Sequence, residues 1–109
     1  MLQPGVALTA FRAASEAFLA TVREVREWDA SSGIGDWTVR ELAGHALRAY
    51  STVEAYLAAP PPERAPIDSA TEYYRRALSG SAIHEGVAAR GREAGAALTD
   101  PPAQIEQTV

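Results

Sequence analysis

The sequence predicts an all-α fold, an up-and-down helical bundle. Apolar residues recur at steps of three and four along each long segment. Capping signals open several of these segments, and proline or glycine clusters close them. Convincing strand alternation and hairpin dipeptides are lacking. The 109 residues suit one small helical domain, residues 1–109, and are too few for two.

The first helix is expected from about Ala7 to Trp28. Phe11, Ala14, Phe18, Val22 and Val25 form one apolar stripe. Arg12 with Glu16, and Arg23 with Glu27, are spaced for i,i+4 support on the wet side. Ser31-Ser32-Gly33-Ile34-Gly35-Asp36 breaks the pattern as a loop. The second helix follows from Val39 to about Ala58. Thr38 suits its N-cap, and Glu41 three residues on completes a capping box. Trp37 and Leu42 stand at the staple positions around that cap. Pro60-Pro61-Pro62 ends the helix, because none of the three can donate to its ladder.

Ser69-Ala70-Thr71-Glu72 reads as a second capping box, opening a short helix from Ala70 to Leu78. Tyr73, Ala77 and Tyr74 supply its apolar side, and Gly80 stands where a glycine terminates helices. Ser81 is expected to cap a last helix from Ala82 to Leu98, with Ile83, Val87, Gly91, Ala94 and Leu98 as its stripe. Gly91 and Gly95 on one side point to close approach by a neighbour. Asp100-Pro101-Pro102 reads as a stop, and the tail to Val109 as short, polar and frayed. The architecture is thus three main helices and one short one.

Composition narrows the function classes. Apolar residues make up 47%, and the formal charge is −4. All ten basic residues are arginine, and they do not cluster as a nucleic-acid surface would require. Cysteine is absent, which excludes disulfides, Cys-type metal sites and a thiol nucleophile belonging to the protein. No basic and apolar leader opens the chain. No uninterrupted apolar run approaches the ~20 residues that span a bilayer. Cytoplasmic residence, without a membrane, is the expectation.

His45 lies two turns inside the capped helix, so its depth and direction are fixed by cap, box and staple. Rigid presentation of one imidazole is what a metal or acid–base site needs. On a helical wheel it falls roughly 120° from the centre of the apolar arc, on a flank shared with Ala49, Thr52 and Tyr56. Taken alone, it reads as a boundary histidine that donates one hydrogen bond and packs on Tyr56. His84, in the first turn of the last helix, reads as solvated. Glu41 reads as a cap, or as a partner to His45 one turn on. Tyr50, Tyr73 and Tyr74 read as core and rim aromatics. Arg90 and Arg92 read as a solvated face that can greet an acidic ligand.

Trp37, Val39, Leu42 and His45 form a Trp-x-Val-x-x-Leu-x-x-His pattern. With the long first helix, the Tyr73-Tyr74 segment and the Ala88–Glu93 helix, it resembles the N-terminal domain of mycothiol-dependent maleylpyruvate isomerases, a DinB-like family common in actinobacteria. The resemblance implies a four-helix bundle holding a divalent metal, usually zinc, on three side chains. It implies His45 as the ligand from the second helix, and an open position for the thiol of mycothiol or a water. The other two ligands come, in the family, from a fourth helix carrying an acid or histidine four residues before a histidine. No such pair occurs after the second helix. Three expectations stand side by side: a truncated four-helix domain, a member that has lost its metal site, or a site completed by a second chain. No catalytic acid or base is assigned.

Two functions follow. One is activation of a low-molecular-weight thiol for attack on a small electrophile. The other is a non-catalytic association module, a homodimer or swapped bundle that covers an apolar wall left bare by the missing helix. A weaker third is a small-ligand sensor in the cleft near His45.

Overall fold

The computed structural model describes residues 3–80 and 83–109. Five helices follow one another: α1 (Pro4–Glu24), α2 (Val39–Ala58), α3 (Ala70–Ala77), α4 (Ile83–Ala96) and α5 (Pro101–Thr108). The all-α expectation holds, with one helix more than expected.

Helix α1 starts three residues earlier and ends four residues earlier than its stripe suggests. Pro4 stands at the first helical position, where its missing N–H costs nothing. Val25 is extended, with ψ 128°. Beyond it the backbone turns to pair with the start of α2. Arg40 N–H donates to Trp28 O (2.7 Å), Val39 N–H to Ala30 O (2.9 Å) and Ser32 N–H to Trp37 O (2.9 Å). The first of these takes the Trp28 carbonyl from any longer helix, and a β-bridge joins Ser31 and Thr38. Gly33 and Gly35, at φ 77° and 54°, make the reversal a β-carbon would strain. Neither expected i,i+4 ion pair forms on this helix. Glu27 lies past its end, and Arg23 reaches Glu106 of α5 instead (2.8 Å).

Only Ser15 and Val22 of α1 are buried. Its seam with α2 is aromatic. Ser15 donates to Phe11 O (2.8 Å), so the Tyr50 hydroxyl donates to Ser15 Oγ (2.7 Å). The Tyr50 ring lies between Phe11 and Phe18, at 5.4 and 6.3 Å. Taken whole, α1 is long and apolar enough to cross a membrane, with a mean hydropathy of 1.2 over 18 residues. Half of its apolar residues are alanine, and Arg12 and Glu16 interrupt it at mid-helix.

The start of α2 is as expected. Thr38 Oγ1 accepts from Glu41 N–H (3.2 Å), and Glu41 Oε1 accepts from Thr38 N–H (2.9 Å). Helix α4 packs on this half of α2 closely enough to need glycine on both sides. A β-carbon on Gly44 would lie 2.6 Å from Gly95 N, and one on Gly95 would lie 2.7 Å from Glu41 Cα. Arg40 ties the far end of α4 into the same corner. It donates to Leu98 O and, through Nε, to Asp29 (2.9 Å).

Helix α3 has half of its expected box. Ser69 Oγ accepts from Glu72 N–H (3.1 Å), but the Glu72 carboxylate binds Arg75 and Arg76 (2.6 and 2.7 Å) in place of closing on the cap. The Ser81 cap and the Ala82 start of the last helix lie outside the described residues. Leu78 and Leu98, expected within helices, fall just after α3 and α4.

The main correction concerns the tail. Residues 101–108 are helical, not frayed. Pro101 and Pro102 open α5 as well as stopping α4, because proline fits the first turn. Gln104 clamps the junction, accepting from Asp100 N–H (2.8 Å) and donating to Ala97 O (3.0 Å). Ile105 is fully buried and joins Val22, Ala43 and Leu98 in the core. This helix packs on both α1 and α2.

Candidate functional site

Trp37 organises the region around His45. Its indole N–H donates to Ala88 O on α4 (3.1 Å), and its ring lies over Gly91, where any β-carbon would collide with it. Trp37 thus bridges the loop to α4, a longer reach than a local staple to Leu42 implies. The same indole meets the His45 ring, with centroids 4.7 Å apart and planes tilted by 36°. His45 itself is exposed. It rests on Trp37, correcting the expectation of packing on Tyr56.

His45 lines a groove of about 780 Å³ along α2. Ala49, Thr52 and Tyr56 continue that wall, as their shared flank predicts. Tyr73 and Tyr74 of α3 and Val87 and Arg90 of α4 line it too, with Arg48 from α2. The two tyrosine rings of α3 meet edge to face at 5.3 Å. Arg90 folds back along its helix, its guanidinium 3.1 Å from where a Gly86 β-carbon would stand. Two guanidiniums and an imidazole therefore border a groove faced with phenol rings. Arg48 is the residue sequence reasoning missed. Its place three residues after His45, on the same helical flank, is the signal that could have found it.

A second cavity, of about 390 Å³, lies between the Ile34–Trp37 loop and α4. Ile34, Asp36, Trp37, Val87 and Ala88 line it with His84 and Arg92. The two histidines therefore face different cavities. Arg90 and Arg92 also part company, one in each. Glu41 is committed to the Thr38 cap. Tyr50 belongs to the α1–α2 seam.

Remote ion pairs shape the titration behaviour. The Arg40 guanidinium holds the Asp29 carboxyl below its ordinary range, chiefly through their hydrogen bond, and is itself raised by it. Arg75 and Arg76 likewise hold Glu72 low, and Arg75 is raised in return.

A zinc centre of three side chains needs donors converging on one point. Among the described residues, no group of three His, Asp or Glu side chains is placed to hold an ion. His45 brings one donor, and the Arg48 and Arg90 charges lining its groove oppose a bare cation. The described residues by themselves do not fit that centre.

No curated protein and no solved structure matches the chain. The family model of the mycothiol maleylpyruvate isomerase N-terminal domain matches residues 9–107. That span contains the capped second helix, His45, the Tyr73-Tyr74 segment, α4 and nearly all of α5. The chain belongs to the mycothiol maleylpyruvate isomerase N-terminal domain family.

Proposed function

We propose that the His45 groove is a small-molecule thiol site of the mycothiol-dependent isomerase and transferase type. In this reading a low-molecular-weight thiol lies along the groove and attacks a small electrophile. One observation carries it: the His45 ring, steadied by Trp37 at 4.7 Å, borders a groove with two arginines and three tyrosines. Arg48 and Arg90 bind anionic groups of the thiol or its electrophile and favour a thiolate by their charge. His45 accepts the thiol proton, and Trp37 keeps the imidazole from turning away. Tyr56, Tyr73 and Tyr74 pack the uncharged body of the ligand. A divalent metal such as zinc joins this reading, with His45 as one ligand, only alongside donors from another chain or a ligand.

Mycothiol titrated into isotope-labelled protein, with and without zinc, tests the proposal. The His45 ring resonances should shift saturably, and His45→Ala should abolish thiol binding measured calorimetrically. Unmoved His45 resonances at millimolar thiol under both conditions would overturn it.

A second reading, an association module, rests on a different observation. Val53, Tyr56 and Leu57 of α2 are 52%, 72% and 81% exposed, and Phe11 of α1 is 50% exposed. Exposed apolar side chains gathered at one end of a helix favour self-association. Sedimentation should then detect a homodimer at micromolar concentration, and a stable monomer would end this reading.

A further inference from the structure

The cavity between the Ile34–Trp37 loop and α4 adjoins the groove that His45 lines, sharing only Val87 with it. Its volume, about 390 Å³, lies within the range of small-molecule sites. Two of its walls carry opposite charges. Asp36 comes from the loop, and Arg92 from α4. Among the described residues the ion pairs are Arg23–Glu106, Arg40–Asp29, Arg75–Glu72 and Arg76–Glu72. Asp36 and Arg92 therefore border one cavity without pairing across it. Between them the lining is apolar, built from Ile34, Val87 and the Trp37 indole. His84 adds a second basic group on the α4 side.

This arrangement selects by charge. A simple anion gains Arg92 but meets Asp36, and a simple cation gains Asp36 but meets Arg92. A molecule carrying both charges gains from each. An apolar body on such a molecule would lie against the indole, which is held in place by its bond to Ala88 O. We propose that this cavity binds a small zwitterion of the amino-acid type, its ammonium at Asp36, its carboxylate at Arg92 and its aromatic or aliphatic side chain on Trp37. This site does not depend on the thiol reading of the His45 groove.

The Trp37 indole N–H cross-peak reports occupancy, and the Trp28 indole, part of the core margin, serves as internal control. L-phenylalanine should shift the Trp37 peak saturably while Trp28 stays still. N-acetylphenylalanine lacks the ammonium and phenylalaninamide lacks the carboxylate, and each should bind about tenfold more weakly, since one charge-assisted contact is lost. Asp36→Asn should remove the discrimination against the acetylated probe, and Arg92→Gln that against the amide. Arg48→Gln, in the His45 groove, should leave phenylalanine binding intact, which separates this test from that of the thiol site. Equal binding of the three probes overturns the proposal. So does a still Trp37 peak at millimolar phenylalanine, or unchanged discrimination in both charge variants.

Discussion

The two halves of α2 draw on similar residues and meet opposite surroundings. From Val39 to Leu47 the helix is capped at its start, wedged against α4 through Gly44, and bound to the core by Ala43 and Leu47. From Val53 to Ala58 its apolar side chains face outward, Leu57 at 81% exposure. The apolar stripe runs unbroken through both halves, so periodicity cannot tell them apart. What differs is whether another helix arrives. Helix α4 reaches the first half because three glycines let backbones and an indole approach. His45 sits at the end of the rigid half, its ring steadied there while the groove extends along the open half.

The largest way to break this contrast is to fill the seam. Gly44→Leu places a side chain where a β-carbon already meets Gly95 N at 2.6 Å. Overpacking of this kind costs about 3 kcal/mol or more where backbone must move. Chemical denaturation should report it, together with loss of the Trp37–His45 contact in nuclear Overhauser spectra. Leu57→Ala in the open half should change stability by less than about 0.5 kcal/mol. Comparable losses from both variants would mean that the distal half is covered in solution.

The next effect tests the helix that the sequence concealed. Ile105→Ala empties a fully buried site between α1 and α2, and should cost about 2–4 kcal/mol in thermal or denaturant unfolding. Thr38→Ala removes a cap whose reciprocal bonds are both present and should cost about 1 kcal/mol. Ser69→Ala removes the cap of a helix with no buried residue. It should lower local helicity, seen by amide exchange, with little change in global stability.

What could be read in advance was what neighbours in sequence decide. The Thr38 box, the span of α2, the α3 cap and the flank shared by His45, Ala49, Thr52 and Tyr56 depend on residues within one or two turns. Gly91 and Gly95 announced a close neighbour, although not which one. The rest came from distant partners. Ile105 has only Pro101 and Val109 beside it at helical spacing, a stripe too short to stand out, and its burial depends on a gap between α1 and α2. Trp37 satisfied a local staple on paper, yet its N–H goes to a carbonyl 51 positions away. Residues 25–28 continued the helical stripe, but the chain leaves the helix at Val25 and Trp28 O turns to Arg40 of α2. The candidate site divides in the same way: His45 and Arg90 were visible singly, and their meeting with Arg48 along one groove was not.

The smallest effect sharpens the comparison by acid. Asp29 and Glu72 both have carboxyl groups held below their ordinary range by arginine. A lowered folded-state pKa contributes stability that is present above the unfolded value, about 4 for carboxylates. That stability is lost as pH falls through the folded value. The two pairs sit in unlike places. Asp29 engages Arg40, which also donates to Leu98 O, so its protonation loosens the corner where the loop, α2 and the end of α4 meet. Glu72 engages Arg75 and Arg76 within α3, so its protonation loosens that helix alone. Lowering pH below about 4 should therefore depress the global melting temperature, and Asp29→Asn should lessen that dependence while starting from a lower stability at neutral pH. Glu72→Gln should leave the global melting curve nearly unchanged at every pH and raise amide exchange only in α3. Equal effects of the two variants on the global melt would mean that α3 is as firmly integrated as the capped half of α2, and the division of the molecule into a rigid and an open part would fail.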